Sequence, residues 1–446
     1  MFTKQLCSAV MLLCMAGMVC ATPHIQHWQI ASGARVFLVE DHDIPMLDVA
    51  VSLPAGSRFD VAEKSGLASL THSMLDLGSS DLSEDDISRG MADIGAQLGG
   101  SFDQDRASVS LRTLSHTVER EQALSIMARV LQHPVFPAAI LSREKTRLIA
   151  SLKEAETKPE FIAARAFNRA VYGKHPYAQQ LTGEVATVEK LSVQDLNEFY
   201  RSHYNARRAV VAIMGDVTRA QAESIALQLT EKLPVSTQES DHPVVEMQIQ
   251  PTEQRIVHPA SQSHILLGVP GMSRSDPDYF PLYVGNYILG GGGFVSRLMN
   301  EVREKRGLAY SVYSYFMPLQ QPGVFQIGLQ TKKEQADEAL TLVRKTVAEF
   351  VAKGPTEKEL IAAKQNIIGG FALRIDSNHK ILDYLSIIGF YELPLSYLDD
   401  FTDRIERVTT GQIHDAFVRH IHPQAMAIVI VGAPEIDAKA AGVENK

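Results

Sequence analysis

The chain repeats itself. Residues 188–216, VEKLSVQDLNEFYRSHYNARRAVVAIMGD, align without a gap against residues 405–433, IERVTTGQIHDAFVRHIHPQAMAIVIVGA, at a constant offset of 217. Both read as an amphipathic helix, a short turn and a buried strand that ends on glycine, Gly215 and Gly432. Upstream, SREKTRLIASLKE (142–154) parallels PTEKELIAAKQNI (355–367), each a helix opened by Ser or Thr with acidic residues in its first turn. A tandem duplication constrains the fold strongly: whatever lobe the first copy forms, the second forms again. At 446 residues the chain is also too long for a single core.

Within each copy, strand patterns come first, then helices, then strand again. VFLVED (36–41) and LDVAVSLPAG (47–56) read as strands, and RASVSLRTL (106–114) alternates with period two. Helical periodicity covers about 119–132, 142–156, 160–172 and 192–202. This order predicts an α+β fold, two homologous lobes each built on an antiparallel-dominated sheet packed with helices. LPVSTQESDHPVVEMQIQPTEQ (233–254) is polar, proline-containing and aperiodic, and reads as the linker between a first lobe at 22–232 and a second at 255–446.

The first 21 residues stand apart. MFTKQLCSAVMLLCMAGMVCA carries one lysine and then an apolar run too short to span a bilayer, so it reads as a signal peptide cleaved after Ala21. All three cysteines, Cys7, Cys14 and Cys20, lie in this leader, which leaves the exported chain without a disulfide, a thiolate ligand or a thiol nucleophile. Over the full sequence the chain is 45% apolar and 21% charged, with a net charge of −9. That balance describes a folded globular chain and gives no electrostatic footprint for nucleic acid or an anionic membrane.

The tract GLAxxxxxML at 66–75, together with ILGGGGFVSRLMNEVREKRGLAYSVYS at 288–314, resembles the M16 peptidases, the pitrilysin or insulinase-like family of M16B type. The likeness runs from about His27 to Gly432. It implies one half of a metallohydrolase clamshell, enclosing a chamber for unfolded peptide. In that family an HxxEH helix supplies two histidines on one face and a glutamate that polarises water. A second glutamate on a later helix completes the zinc site. Registered by Gly66-Leu67-Ala68 and Met74-Leu75, the motif falls on Ser69, His72 and Ser73. RLIASLKEAETKP (147–159) puts the distal position on Ser151. All four are replaced: hydroxyls are poor zinc ligands, and a histidine at the general-base position has no metal-held water to act on. A rearranged site would need His72 and Asp76, at i and i+4, with Glu154 or Glu156 from the later helix. HIH (420–422) lies away from it, in the second copy.

The second copy keeps more of the family's equipment. The resemblance implies an arginine that binds a substrate carbonyl and, seven residues later, a tyrosine whose hydroxyl assists the tetrahedral intermediate. VREKRGLAY supplies Arg303 and Tyr310 at that spacing. SRLMNEVREKR (296–306) reads as a helix, Gly307 as its terminating residue and LAYSVYSYF (308–316) as a strand. The preceding Gly290-Gly291-Gly292-Gly293 lacks the Lys-Ser/Thr of a phosphate loop, so it reads as a place where backbone passes close to another element or to peptide. Gly291, Gly292 and Gly293 are the candidate substrate contacts. The family also adds peptide to a sheet edge near Gly99-Gly100, but SFDQDRAS (101–108) departs from its pattern there.

The sequence therefore predicts a periplasmic M16 subunit with no cofactor of its own. A separate zinc-bearing M16 subunit would complete the enzyme, and Arg303 and Tyr310 would reach its chamber to serve peptide-bond hydrolysis. Two other readings stand beside it. One is a non-catalytic scaffold or peptide-holding chamber protein; the other is a self-sufficient zinc peptidase with a rearranged site.

Overall fold

The period-two stretches all become strands. The computed structural model describes residues 24–236, 243–246 and 250–433. The leader expected at 1–21 and parts of the expected linker lie outside the described residues. One sheet contains β1 (Gln26–Gln29), β2 (Arg35–Glu40), β3 (Met46–Leu53), β4 (Gln97–Phe102), β5 (Ala107–Leu114) and β6 (Val210–Gly215), in the order β1-β2-β6-β3-β5-β4. The other contains β7 (Thr252–Val257), β8 (Gln262–Pro270), β9 (Ser311–Phe316), β10 (Val324–Lys332) and β11 (Ala427–Ala433), in the order β7-β11-β8-β10-β9. Each sheet is antiparallel apart from one parallel pair, β2 with β6 and β7 with β11; β1 merely extends the first sheet beside β2.

The duplication is preserved down to register. Val36 pairs with Val211 and Glu253 with Ile428; Met46 pairs with Leu114 and Ser263 with Thr331. Every one of these counterparts is 217 residues from its twin. Helix starts repeat too: Ser192 and Asp195 form a capping box, and so do Thr409 and Gln412. The edge strands break the rule. Gln97 faces Arg112 in the first sheet, but Val312 rather than Ser314 faces Leu329 in the second. This two-residue slip falls on the strand that follows Tyr310.

The expected helices form as α1 (Leu67–Ser73), α2 (Ala138–Ala155), α3 (Pro159–Tyr172) and α6 (Glu357–Gly369), with others over Thr117–Gln132 and Val193–His203; α4 (Tyr279–Asn286), α5 (Ala336–Lys353) and α7 (Asn378–Phe390) join them in the second copy. α3 and α7 are counterparts in the repeat, and they are exchanged. α3 of the first copy packs on β8 and β11 of the second sheet, while α7 of the second copy packs on β2, β3 and β6 of the first. The approach is close: a Cβ on Gly268 would meet the Phe167 ring at 3.0 Å, and one on Gly389 would meet Val210 at 2.5 Å. Phe37, Val210 and Met214 consequently share a core with Leu385 and Ile388.

A polar clasp reinforces the exchange. Asp105, fully buried, pairs with Arg58 at 3.2 Å and accepts hydrogen bonds from Tyr177 at 2.6 Å and, across the halves, from the Gln320 backbone N–H at 2.7 Å and Tyr391 at 3.0 Å. A buried carboxylate is tolerated here because charge and lone pairs are all met.

Candidate functional site

The helix that aligns with the family's metal motif is short, seven residues, and is built from its flanks. Gly66 precedes it at φ +94, backed against Thr182 and Gly183, a conformation and a space that only glycine fits. The Asp60 carboxylate accepts from the Gly66 and Ala68 N–H groups at 2.8 Å each, capping the helix start. Burial pushes this carboxyl up to about 7 against those opposing hydrogen bonds. Leu67, Ala68, Met74 and Leu75 are all buried. GLA and ML are therefore packing residues of the lobe, and between them Leu70 and Thr71 are buried as well, whereas Ser69, His72 and Ser73 face outward to varying degrees.

Those positions do not converge on a metal. The Ser73 hydroxyl donates to the Leu70 carbonyl at 3.1 Å, one turn back in its own helix. Ser151 is exposed on α2, and Ser69 is half-buried. His72 stacks on Phe102 of β4 with ring centroids 5.7 Å apart, close over Gly100, and its Nδ1 is buried without a hydrogen-bond partner. Burial lowers its pKa to about 4, so the ring is neutral near neutrality and too weak a base to activate water.

The rearranged alternative also fails on geometry. Glu154 is held by Lys158 at 2.8 Å and Glu156 by Arg165 at 3.0 Å. Among the described residues, the only three ligand-type groups within 4.8 Å of one another are Asp276, Asp278 and His420, which do not include His72 or Asp76. In that trio Asp278 is already bidentate to Arg419, at 2.8 and 2.9 Å, and bonded to His420 at 3.0 Å, an ion-pair knot beside the start of α4. The residues present at the degenerate motif do not fit zinc.

Arg303 and Tyr310, in contrast, come together. The helix expected over 296–306 is instead a π-helical turn over Met299–Glu304, closed by the Lys305 N–H donating to the Asn300 carbonyl at 3.0 Å. A second π-turn, Tyr287–Gly291, precedes it. The cause is steric: a Cβ on Gly290 would lie 2.3 Å from the Ser314 hydroxyl and 2.6 Å from the Ser314 N on β9, so the backbone widens where it crosses the sheet edge. Gly293 turns the chain at φ +61 with open space around it, while Gly291 and Gly292 lie against Asn286 and Tyr287. Gly307 also has φ +61, ending the helical segment as its sequence position suggested.

This path places the Arg303 guanidinium between two rings, 4.9 Å from the Phe294 centroid and 5.0 Å from that of Tyr310. Arg303 also approaches Glu304 at 3.7 Å. Tyr310 is 79% exposed and Phe294 68% exposed. Tyr313 and Tyr315 continue the aromatic surface along β9, their rings stacked at 6.0 Å. The site presents one cation and one phenol, both donors, set in an exposed aromatic patch. Sequence spacing pointed to the pair but not to Phe294, the large apolar residue directly after the glycine run. An aromatic at a glycine turn that cannot be buried is the signal that marks it.

A duplicated lobe of this architecture defines the class to which the comparisons assign the chain: it belongs to the M16 peptidase family. Residues 35–185 match the insulinase (peptidase family M16) model and residues 190–367 the peptidase M16 inactive domain model. A crystal structure of a peptidase M16 inactive domain from Pseudomonas fluorescens is 38% identical, with a TM-score of 0.88, covering 92% of this chain and 98% of that one. A Helicobacter pylori protein named non-peptidase homolog YmxG is 26% identical over 408 residues, 90% of this chain and 92% of its own length. The periplasmic protease PqqL of Escherichia coli shares the fold at a TM-score of 0.78 and 16% identity, this chain covering 46% of it. No helix among the described residues is long and apolar enough to cross a membrane.

Proposed function

We propose that this chain is the zinc-free subunit of a two-chain periplasmic M16 endopeptidase, and that it lends Arg303 and Tyr310 to a zinc-bearing partner. The observation that carries the reading is the contrast between the two copies. Positions Ser69, His72, Ser73 and Ser151 have been absorbed into local packing or solvent, whereas Arg303 and Tyr310 stand side by side on the surface. In their assigned roles the Arg303 guanidinium holds a peptide carbonyl and the Tyr310 hydroxyl donates to the developing oxyanion, both charge-complementary jobs for preorganised donors. Gly293 and its neighbours border the same surface and are the proposed backbone contacts for peptide. Zinc is expected in the partner, whose metal helix would retain the ligands that this chain lacks.

The test reconstitutes this chain with the HxxEH-bearing M16 chain that co-purifies with it and follows cleavage of a fluorogenic peptide. Arg303→Ala and Tyr310→Phe should each lower kcat by about 100-fold, the cost of removing one oxyanion donor, with the pair still assembled on size exclusion. Unchanged kcat/KM in both variants would leave only the scaffold reading, toward which the name of the Helicobacter relative points.

A further inference from the structure

We propose that a second site, on the second copy and built without Arg303 or Tyr310, binds a ligand that joins a carboxylate to an aromatic ring. A cavity of about 430 Å³ opens between α4, the residues before α7, and α7 itself. Its cations are Arg274, Arg374 and Lys380, against a single lining acid, Asp383. Lys380 is bonded to Asp376 at 2.8 Å. The two arginines, however, have no carboxylate within 4.0 Å among the described residues, in a chain where acids outnumber bases 52 to 43. For Arg374, which is exposed, that is ordinary; for the half-buried Arg274 it is not, since half-buried Arg297 is bidentate to Glu359 and buried Arg58 reaches Asp105.

Arg274 is the clearer case. Its Nε is closed off from solvent with no hydrogen-bond partner, its Nη1 makes one long bond of 3.4 Å to the Tyr279 hydroxyl, and its guanidinium lies 5.5 Å from the Tyr279 ring and 5.9 Å from that of Tyr391. Arg374 lies over Tyr283 at 5.9 Å. A sealed Nε donor without a partner is costly, an anion on the outer nitrogens would offset the charge beside it, and the guanidinium fork matches a carboxylate edge to edge. Tyr279 and Tyr283 stack with parallel planes, 5° apart, and Tyr384 and Tyr397 add two further phenols to the wall. The lining is thus flat, aromatic and cationic. A planar ring slides against the tyrosines while its carboxylate bridges Arg274 and Arg374. A free aromatic acid and the C-terminal residue of a peptide both present this chemistry. The inference does not depend on the proposed peptidase role.

Calorimetric titration of the mature chain alone tests it with three probes: N-acetyl-phenylalanine for a peptide C-terminus, phenylacetate for a free acid, and N-acetyl-phenylalaninamide as the carboxylate-free control. At least one acid should bind with a Kd below about 1 mM, and the amide at least about tenfold more weakly. Preference between the two acids identifies the source. Arg374→Gln, at an exposed side chain whose loss should leave the thermal midpoint unchanged, should weaken binding about tenfold; Arg274→Gln should do the same. The proposal is overturned if neither acid binds up to about 10 mM, if the amide binds as well as the acids, or if Arg374→Gln leaves the affinity intact.

Discussion

His72 shows how one residue can keep its place in a helix while changing its work. Where the sequence alignment to the family puts a general base, it is a stacking residue, neutral against Phe102 with Nδ1 sealed off. Burial lowers its pKa to about 4, whereas the unfolded chain takes up the proton near 6.5. The unfolded state therefore binds more protons between those values. The stability that His72 contributes is complete above about 6.5 and is lost as the pH falls towards 4, by up to about 3 kcal/mol. His72→Phe keeps the ring and removes the titration, so urea denaturation of the variant and wild type should diverge steadily over that window and run parallel above it. Parallel curves throughout would mean that the imidazole is not buried as described. At this scale the sequence was informative where spacing carried the meaning. GLA and ML registered the helix, and the seven-residue interval paired Arg303 with Tyr310, because both relations are local. Phe294 and Arg274 were not legible, since their partners come from turns and helices whose packing no short spacing reports.

Among elements, the segment from α4 to β9 carries the site. Its glycines divide into two kinds with different physical demands. Gly290 must lack a side chain because β9 passes within 2.3 Å of where a Cβ would sit; Gly293 needs only its left-handed φ of +61 in open space. Gly290→Ala should therefore act as overpacking and cost about 1–3 kcal/mol in chemical denaturation, pushing β9 and Tyr310 away from Arg303. Gly293→Ala should cost only the left-handed strain, about 1–2 kcal/mol, and leave β9 in place. Loss of reconstituted activity should follow Gly290→Ala more steeply than Gly293→Ala, beyond any difference in stability. Equal effects would place the glycine requirement in the turn rather than in the crossing. The strands at 36–41, 47–56 and 106–114 and most of the named helix spans were readable from periodicity, with α2 starting four residues early at Ala138, after Pro137. The π-turns were not, because a run of four glycines carries no period and the crowding that widens the backbone comes from another strand.

The molecule as a whole is two copies that do not stand apart. Register and capping repeat at 217 residues, so the duplication seen in the sequence is the duplication of the fold. Amphipathic periodicity shows that α3 and α7 bury a face, but not whose sheet receives it, and here each crosses to the other copy. Burying a large apolar side chain stabilises by roughly 1.5–3 kcal/mol, and Phe167 alone seats one fully against the opposite sheet. Neither sheet retains its core when the other melts, so thermal or urea unfolding should show one cooperative transition by both fluorescence and circular dichroism. Asp105 sits where the halves meet, and removing it leaves Arg58 buried without its counter-ion and the Tyr177 and Tyr391 hydroxyls without an acceptor. Asp105→Ala should lower stability by about 3–5 kcal/mol and move that single transition without splitting it, whereas Arg58→Met combined with Asp105→Leu should recover much of the loss. Two separated transitions, in either the wild type or Asp105→Ala, would show that the exchanged helices do not bind the copies into one folding unit. A rigid joint of this kind matters to the proposed role, because Tyr310 and Phe294 could meet the proposed zinc-bearing partner in one geometry only if the copy that carries them cannot swing on the other.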